Sequence, residues 1–255
     1  MKVAFCLVGI VGSVQGKYGL DGTANSTKGT PVDFRIGHHF HKKHIFNHND
    51  VDVFIHSWSK EFENELVKLY KPKKYLFENQ IDFGQSTWRF NSIMSRWYST
   101  AMSIRLKQSY EKENNFNYDM VMLYRFDHVF QRDLVLSKFN PNLFYAAHRD
   151  DCKSGCKCKV TDNFYDAWFF SNSKNMDKFS NLYEFNSENG FGSPHEDCVK
   201  HLKRINLYEK VNFSFYEKKD FDNVRSLFVN CQYNEESDLD LNKLEKFNHY
   251  PKERF

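Results

Sequence analysis

The sequence predicts an α/β fold, one domain built on a parallel sheet. Three observations carry this. Apolar, β-branched runs at 3–11 and 51–59, and the strand KKYLFE at 73–78, alternate with segments of helical period, a β-α-β-α-β start. The first two runs are apolar nearly throughout, as strands covered on both faces are. And 255 residues holding 26 Phe, 14 Tyr and 4 Trp suffice for one unit with a large core.

The elements follow in order. VAFCLVGIV is the first strand, and residues 12–31, rich in Gly, Ser, Thr and Asn, are a long loop. Residues 32–47 suit a helix capped by Thr30 or Asp33, although Gly37 lies inside it. VDVFIHSWS is the second strand. Phe62, Leu66 and Leu69 have helical spacing, Pro72 stops that helix, and KKYLFE is the third strand. A long helix spans 86–112. YDMVMLYRFD at 118–127 is the fourth strand, and short strands are expected near 133–136 and 143–147. YDAWFFS is a strand, 173–185 a helix capped by Ser173, HEDCVKHLKRI another helix, and VNFSFYE the last strand. The domain therefore spans 1–217. A charged, weakly patterned extension covers 218–255, with a short helix at 238–247.

Composition excludes several classes. The 36 Lys+Arg nearly balance 33 Asp+Glu, so the net charge of +3 does not describe a nucleic-acid binder. A mean hydropathy of −0.70 excludes a multispan membrane protein. The N-terminal apolar run is shorter than the roughly 20 residues a spanning helix needs, and it reads as a strand, not as a signal segment. Six scattered cysteines are not a secreted disulfide framework, which points to a reducing cytoplasm, with Cys6 a buried thiol. Cys152, Cys156 and Cys158 leave a zinc clip, a disulfide and free thiols open. His41, His44 and His48 share one face of the first helix, and a solvated face is the expected reading.

The segment richest in chemistry is Arg125-Phe126-Asp127, where an apolar strand runs into charge. In open α/β sheets ligands sit off the carboxyl ends of strands. A carboxylate there suits a hard divalent cation bridging two phosphates, and Arg125 suits a phosphate or a nearby carboxylate.

These segments, with MKVAFCLVGIVGS, HIFNHNDVDVFIHSWS, LYKPKKYLFENQ, SRWYST and DAWFFSNSKNMDKFSNLY, resemble GT-A-type glycosyltransferases of bacterial and viral surface-glycan gene clusters. The likeness is spread over about residues 1–205. It implies a GT-A-like fold, with a Rossmann-like nucleotide-binding part over about 1–127 and a mixed acceptor part over about 128–217. It implies a nucleotide-sugar donor, a glycan acceptor and a divalent metal, manganese or magnesium. The R-F-D stretch resembles the family's acidic DXD motif, but Arg125 stands at the first acidic position and only Asp127 remains. A metal-independent mode, with basic residues neutralising the diphosphate, stays open for that reason.

The resemblance further implies backbone approach to the nucleotide at Val8, Gly9 and Gly12, with Arg35 or Lys17 in place of an arginine after the first strand. His56, Arg96 and Arg125 are candidate donor contacts, and Asp127 and His195 candidate metal ligands. An inverting transferase needs a base for the acceptor hydroxyl, and Asp166, Glu196 and Asp197 are the candidates. Trp58, Trp97 and Trp168 are candidates for sugar stacking. Acidic residues at 196–197 also suit a helix N-terminus without any catalytic role. A nucleotidyltransferase and a non-catalytic nucleotide- or carbohydrate-binding module are the alternative functions. A methyltransferase fits less well, because the glycine loop is wrong. A homodimer is left open.

Overall fold

A computed structural model describes residues 1–14, 29–84, 88–148, 164–190, 192–228, 231–236, 239–240 and 244. The predicted class holds: the chain is α/β, with a seven-stranded mixed sheet between two helical layers, compatible with a Rossmann-like fold. Cys152, Cys156, Cys158 and Lys17 lie outside the described residues.

The first half is built from β1 (Lys2–Gly9), the two-residue pair β2 (Ser13–Val14) and β3 (Thr30–Pro31), α1 (Phe34–His44), β4 (Asp50–Ser57), α2 (Glu63–Tyr70) and β5 (Lys74–Phe77). The long helix α3 (Trp88–Asn114) leads to β6 (Met120–Arg125) and the short β7 (His128–Phe130). Then come β8 (Phe144–His148), β9 (Phe164–Ser171), α4 (Ser173–Ser180), α5 (Leu182–Asn189) and α6 (Pro194–Arg204). The chain continues through β10 (Val211–Tyr216), β11 (Phe221–Asn223) and α7 (Val224–Leu227).

The sheet order is β5-β4-β1-β6-β9-β8-β10. β1 pairs in parallel with β4 and β6, β4 with β5, and β8 with β10; β9 runs against its neighbours β6 and β8. From β1 the chain winds outward one way through β4 and β5, then returns to place β6 on the other side. That reversal falls at the carboxyl ends of β1 and β6, the place where open α/β sheets bind ligands. Because β9 is reversed, its first residues reach the same edge.

β1 shows why this sheet is covered on both faces. Val3, Phe5 and Leu7 join a core with Phe34, Leu66, Tyr70, Tyr124 and Trp168, under α1 and α2. Ala4, Cys6 and Val8 join the opposite core with Trp97, Ile104, Phe179 and Leu202, under α3, α4, α5 and α6. All six are buried, and each large side chain among them contributes about 1.5–3 kcal/mol of transfer free energy. Burial also pushes the Cys6 thiol up to about 12.

The cap of α1 is Asp33, which accepts the Arg35 N–H at 3.0 Å. Gly37 inside that helix has a steric cause: a Cβ there would meet the Phe126 carbonyl oxygen at 2.4 Å. Of the three histidines expected on a solvated face, His41 and His44 are buried, while His48 is exposed and lies in the 3-10 turn after α1. His41 is buried between the Tyr70 hydroxyl and the His128 carbonyl, at 3.0 and 2.8 Å. His44 and His48 both face Asp133.

Other differences from the sequence reading have local reasons. No strand forms at 133–136, since Leu134 donates to the His44 carbonyl and Leu136–Lys138 make a 3-10 turn. The strand is β7 instead, paired antiparallel with β11. The stretch 173–185 breaks at Asn181 into α4 and α5. The charged segment after Lys218 adds buried side chains: Phe221 enters the β1–Trp168 core, and Val224, Phe228 and Leu244 pack on Ile36 and Phe40.

One polar node crosses the second helical layer. Lys107 of α3 is fully buried and donates to Glu111, Ser173 and Asp177 at 2.8, 2.5 and 2.6 Å. Among the described residues, no helix is long and apolar enough to cross a membrane.

Candidate functional site

The carboxyl edge of β1 and β6 brings together Arg125, Asp127, Arg96, Asp166 and His195. Arg125 ends β6 and Asp127 lies two residues on, in the turn that leads into β7. They form a bidentate pair: Arg125 Nε donates to Asp127 Oδ1 at 3.0 Å and Nη2 to Oδ2 at 2.9 Å. The Arg125 side chain is 29% exposed and that of Asp127 only 1%. Burial works against the Asp127 charge, but Arg125, His128 and Arg225 together outweigh it and bring the carboxyl down to about 2. The same carboxylate raises the affinity of Arg125 for its proton, against the burial that lowers it.

A second cluster adjoins the first. Arg96 of α3 donates from Nη2 to the Asp166 carbonyl at 3.0 Å, and its Nε lies 3.9 Å from Asp166 Oδ2. His195, near the start of α6, puts Nδ1 3.5 Å from Asp166 Oδ1. Burial opposes the Asp166 charge, and His195, Arg96 and Arg125 together hold its carboxyl below the usual range. Burial lowers Arg96 to about 10, with Asp166 acting against it. The site is thus two carboxylates, two arginines and a histidine, with Arg125 and His195 partly open to solvent at 29% and 23% side-chain exposure.

The two glycines at the end of β1 differ in their surroundings: a Cβ on Gly9 would meet nothing within 4 Å, whereas Gly12 is packed tightly. Gly9 has φ +91° and donates its N–H to Ser99 Oγ at 2.8 Å, while its carbonyl accepts from Trp58 N–H and the Ser57 hydroxyl. Gly12 has φ +96°, and a Cβ on it would lie 2.7 Å from Asp127 Cβ. The first loop therefore rests directly on the buried carboxylate. Val8 is buried in register with Arg125 and His56.

Several candidates are engaged elsewhere. Arg35 pairs with Asp33, at 2.9 and 2.6 Å, and lies over the Tyr233 ring. His56 is fully buried, with Nδ1 2.8 Å from Ser99 Oγ and Nε2 2.9 Å from Glu78 Oε1. A neutral ring accepting the Ser99 hydroxyl proton and donating Nε2–H to Glu78 satisfies both contacts, and burial keeps its pKa low. Glu196 and Ser193 form a capping box at α6. Asp197 is buried, accepting from Gly192 N–H and Asn186 Nδ2 at 2.9 and 3.0 Å. The tryptophans proposed for sugar stacking are core residues: Trp97 and Trp168 are fully buried, and Trp58 stacks on Tyr98.

Two partners of Asp127 come from the segment after Lys218. Asn223 Nδ2 lies 3.4 Å from Asp127 Oδ2, and Arg225 adds positive charge nearby while donating to the Ser13 carbonyl at 3.2 Å. Nothing in the sequence around Asn223 marks it out. A metal at Asp127 fits this arrangement poorly. Both carboxylate oxygens are taken by a guanidinium, and the group is closed to solvent. At His195, Nδ1 is buried 3.5 Å from Asp166 Oδ1 and makes no hydrogen bond among the described residues.

Comparison with protein-family models and with curated proteins finds no match to this chain. The class rests on the fold and the site: an α/β protein compatible with a Rossmann-like fold, with an arginine–carboxylate cluster at the strand-order reversal.

Proposed function

We propose that the chain is a GT-A-type glycosyltransferase that moves a sugar from a nucleotide-sugar donor to a hydroxyl of a glycan acceptor. The observation that carries this reading is the meeting of Arg125–Asp127 and Arg96–Asp166–His195 at the carboxyl edge of β1 and β6. A parallel first half followed by a mixed second half supports the GT-A division.

In this reading Arg125 and Arg96 neutralise the diphosphate, with Asp127 fixing the Arg125 fork rather than holding a cation. The acceptor oxygen bonds to the sugar carbon as the bond to the diphosphate oxygen breaks, and the leaving group keeps that electron pair. The hydroxyl proton passes to the Asp166–His195 pair. The arrangement also suits an electrostatic clamp without turnover, which is the binding-module alternative.

The test is thermal stability against a panel of nucleotide sugars, each with manganese and with a chelator, followed by turnover of any binder. The expected result is a shift with one donor that survives chelation and is lost in Arg125→Gln, with turnover lost in Asp166→Asn. A shift that needs manganese overturns the arginine-clamp account. No shift with any donor overturns the transferase reading, and binding without turnover favours the binding module.

A further inference from the structure

A cavity of about 310 Å³ opens at the opposite edge of the sheet. Asn142 precedes β8, Asn172 follows β9 and Lys210 precedes β10, so this edge carries the amino ends of the parallel strands. At 3.3 Å per residue, the strands set it about 20 Å from Arg125 and Asp166.

The lining has three chemical characters. Lys174, Lys178 and Lys210 supply charge, and the lining contains no carboxylate. All three lysines are exposed, and among the described residues none is ion-paired. Asparagine amides supply paired donors and acceptors held in place by the fold. Asn172 Oδ1 caps α4 by accepting from Asn175 N–H at 2.9 Å, its Nδ2 faces Asn142 at 3.3 Å, and Asn175 Nδ2 donates to Ser171 Oγ at 2.9 Å. Leu207, buried, adds an apolar patch.

Three lysines converge on one concavity whose lining holds no carboxylate, leaving a local excess of positive charge that an anion would relieve. Planar amides beside an apolar patch suit the hydroxyls and the C–H face of a pyranose. The volume is at the small end for ligand pockets, which run to about 300–1,000 Å³, and so suits one sugar unit.

We infer that this cavity binds a phosphorylated monosaccharide, with the lysines on the phosphate and the asparagines on the ring hydroxyls. The site is separate from the proposed donor edge and does not depend on the transferase reading.

Isothermal titration of the full chain with glucose 6-phosphate, glucose and inorganic phosphate tests it. Glucose 6-phosphate is expected to bind with a Kd of about 1 mM or below, at least about tenfold tighter than either of the other two. The triple variant Lys174→Gln, Lys178→Gln, Lys210→Gln is expected to lose at least about tenfold, because three favourable charge interactions go at once. The control Lys42→Gln, Lys68→Gln, Lys71→Gln carries the same charge change on exposed lysines elsewhere and is expected to bind as the unaltered chain does. No binding of glucose 6-phosphate, equal binding of inorganic phosphate, or an equal loss in the control overturns the assignment.

Discussion

Replacing Gly12 with alanine probes the contact between the first loop and the buried Asp127. Two costs add. The backbone sits at φ +96°, where an L side chain is strained by about 1–2 kcal/mol. The new Cβ would also lie 2.7 Å from Asp127 Cβ, 3.1 Å from Cγ and 3.0 Å from Oδ2. Carbon atoms pack best at about 3.5–4.0 Å, so one side must give by about 1 Å. Asp127 is poorly able to give, being buried and held at both oxygens by Arg125. Overpacking of this kind costs about 1–3 kcal/mol, for a total near 2–5 kcal/mol. Gly9 provides the internal comparison, since its φ is +91° and a Cβ there meets nothing within 4 Å. Gly9→Ala should therefore show the backbone cost alone. Urea unfolding of both variants measures the difference, expected at about 2 kcal/mol, or about thirtyfold in the folding equilibrium. Equal losses within about 0.5 kcal/mol would refute the steric reasoning.

Lys107→Met leaves the buried Glu111 and the half-buried Asp177 without their cation, and urea unfolding should show a loss of about 3–5 kcal/mol. Ser99→Ala removes the acceptor of the Gly9 N–H and the partner of His56 Nδ1, with an expected loss of about 2–3 kcal/mol in the same assay. Acid should destabilise the fold through His41, whose pKa burial lowers to about 3 from an unfolded value near 6.5. The unfolded chain then binds the extra proton first, so stability is full above pH 6.5 and falls as pH drops toward 3. This one group contributes a loss of about 2 kcal/mol by pH 5, and His41→Gln should flatten that part of the stability–pH curve.

The β-α-β-α-β start was legible because each early element is long enough to show its period. β1 and β4 are apolar on both faces, and a helix separates each parallel pair. Arg125 and Asp127 were legible because a long apolar strand runs straight into charge there, at the end where open α/β sheets hold ligands. β7 and β11 were not, since three-residue strands carry no period. The Asp127 contacts with Asn223 and Arg225 span almost 100 residues, and no local pattern announces them. Gly37 argued against a helix by propensity, yet the close approach of α1 to the Phe126 carbonyl requires it. The tryptophans misled for a related reason: composition says that large rings are present, not which side of a strand carries them, and Trp168 points into the core.

Cys6 sits at the centre of β1, closed on both sides and with a thiol far from ionising at neutral pH. An alkylating reagent reaches it only when the central strand comes apart, and then meets a thiol of ordinary acidity. The rate at which the Cys6 peptide gains a label in native buffer is therefore a built-in clock for opening of the whole sheet. Fraying at β5 or β10 would leave that clock still.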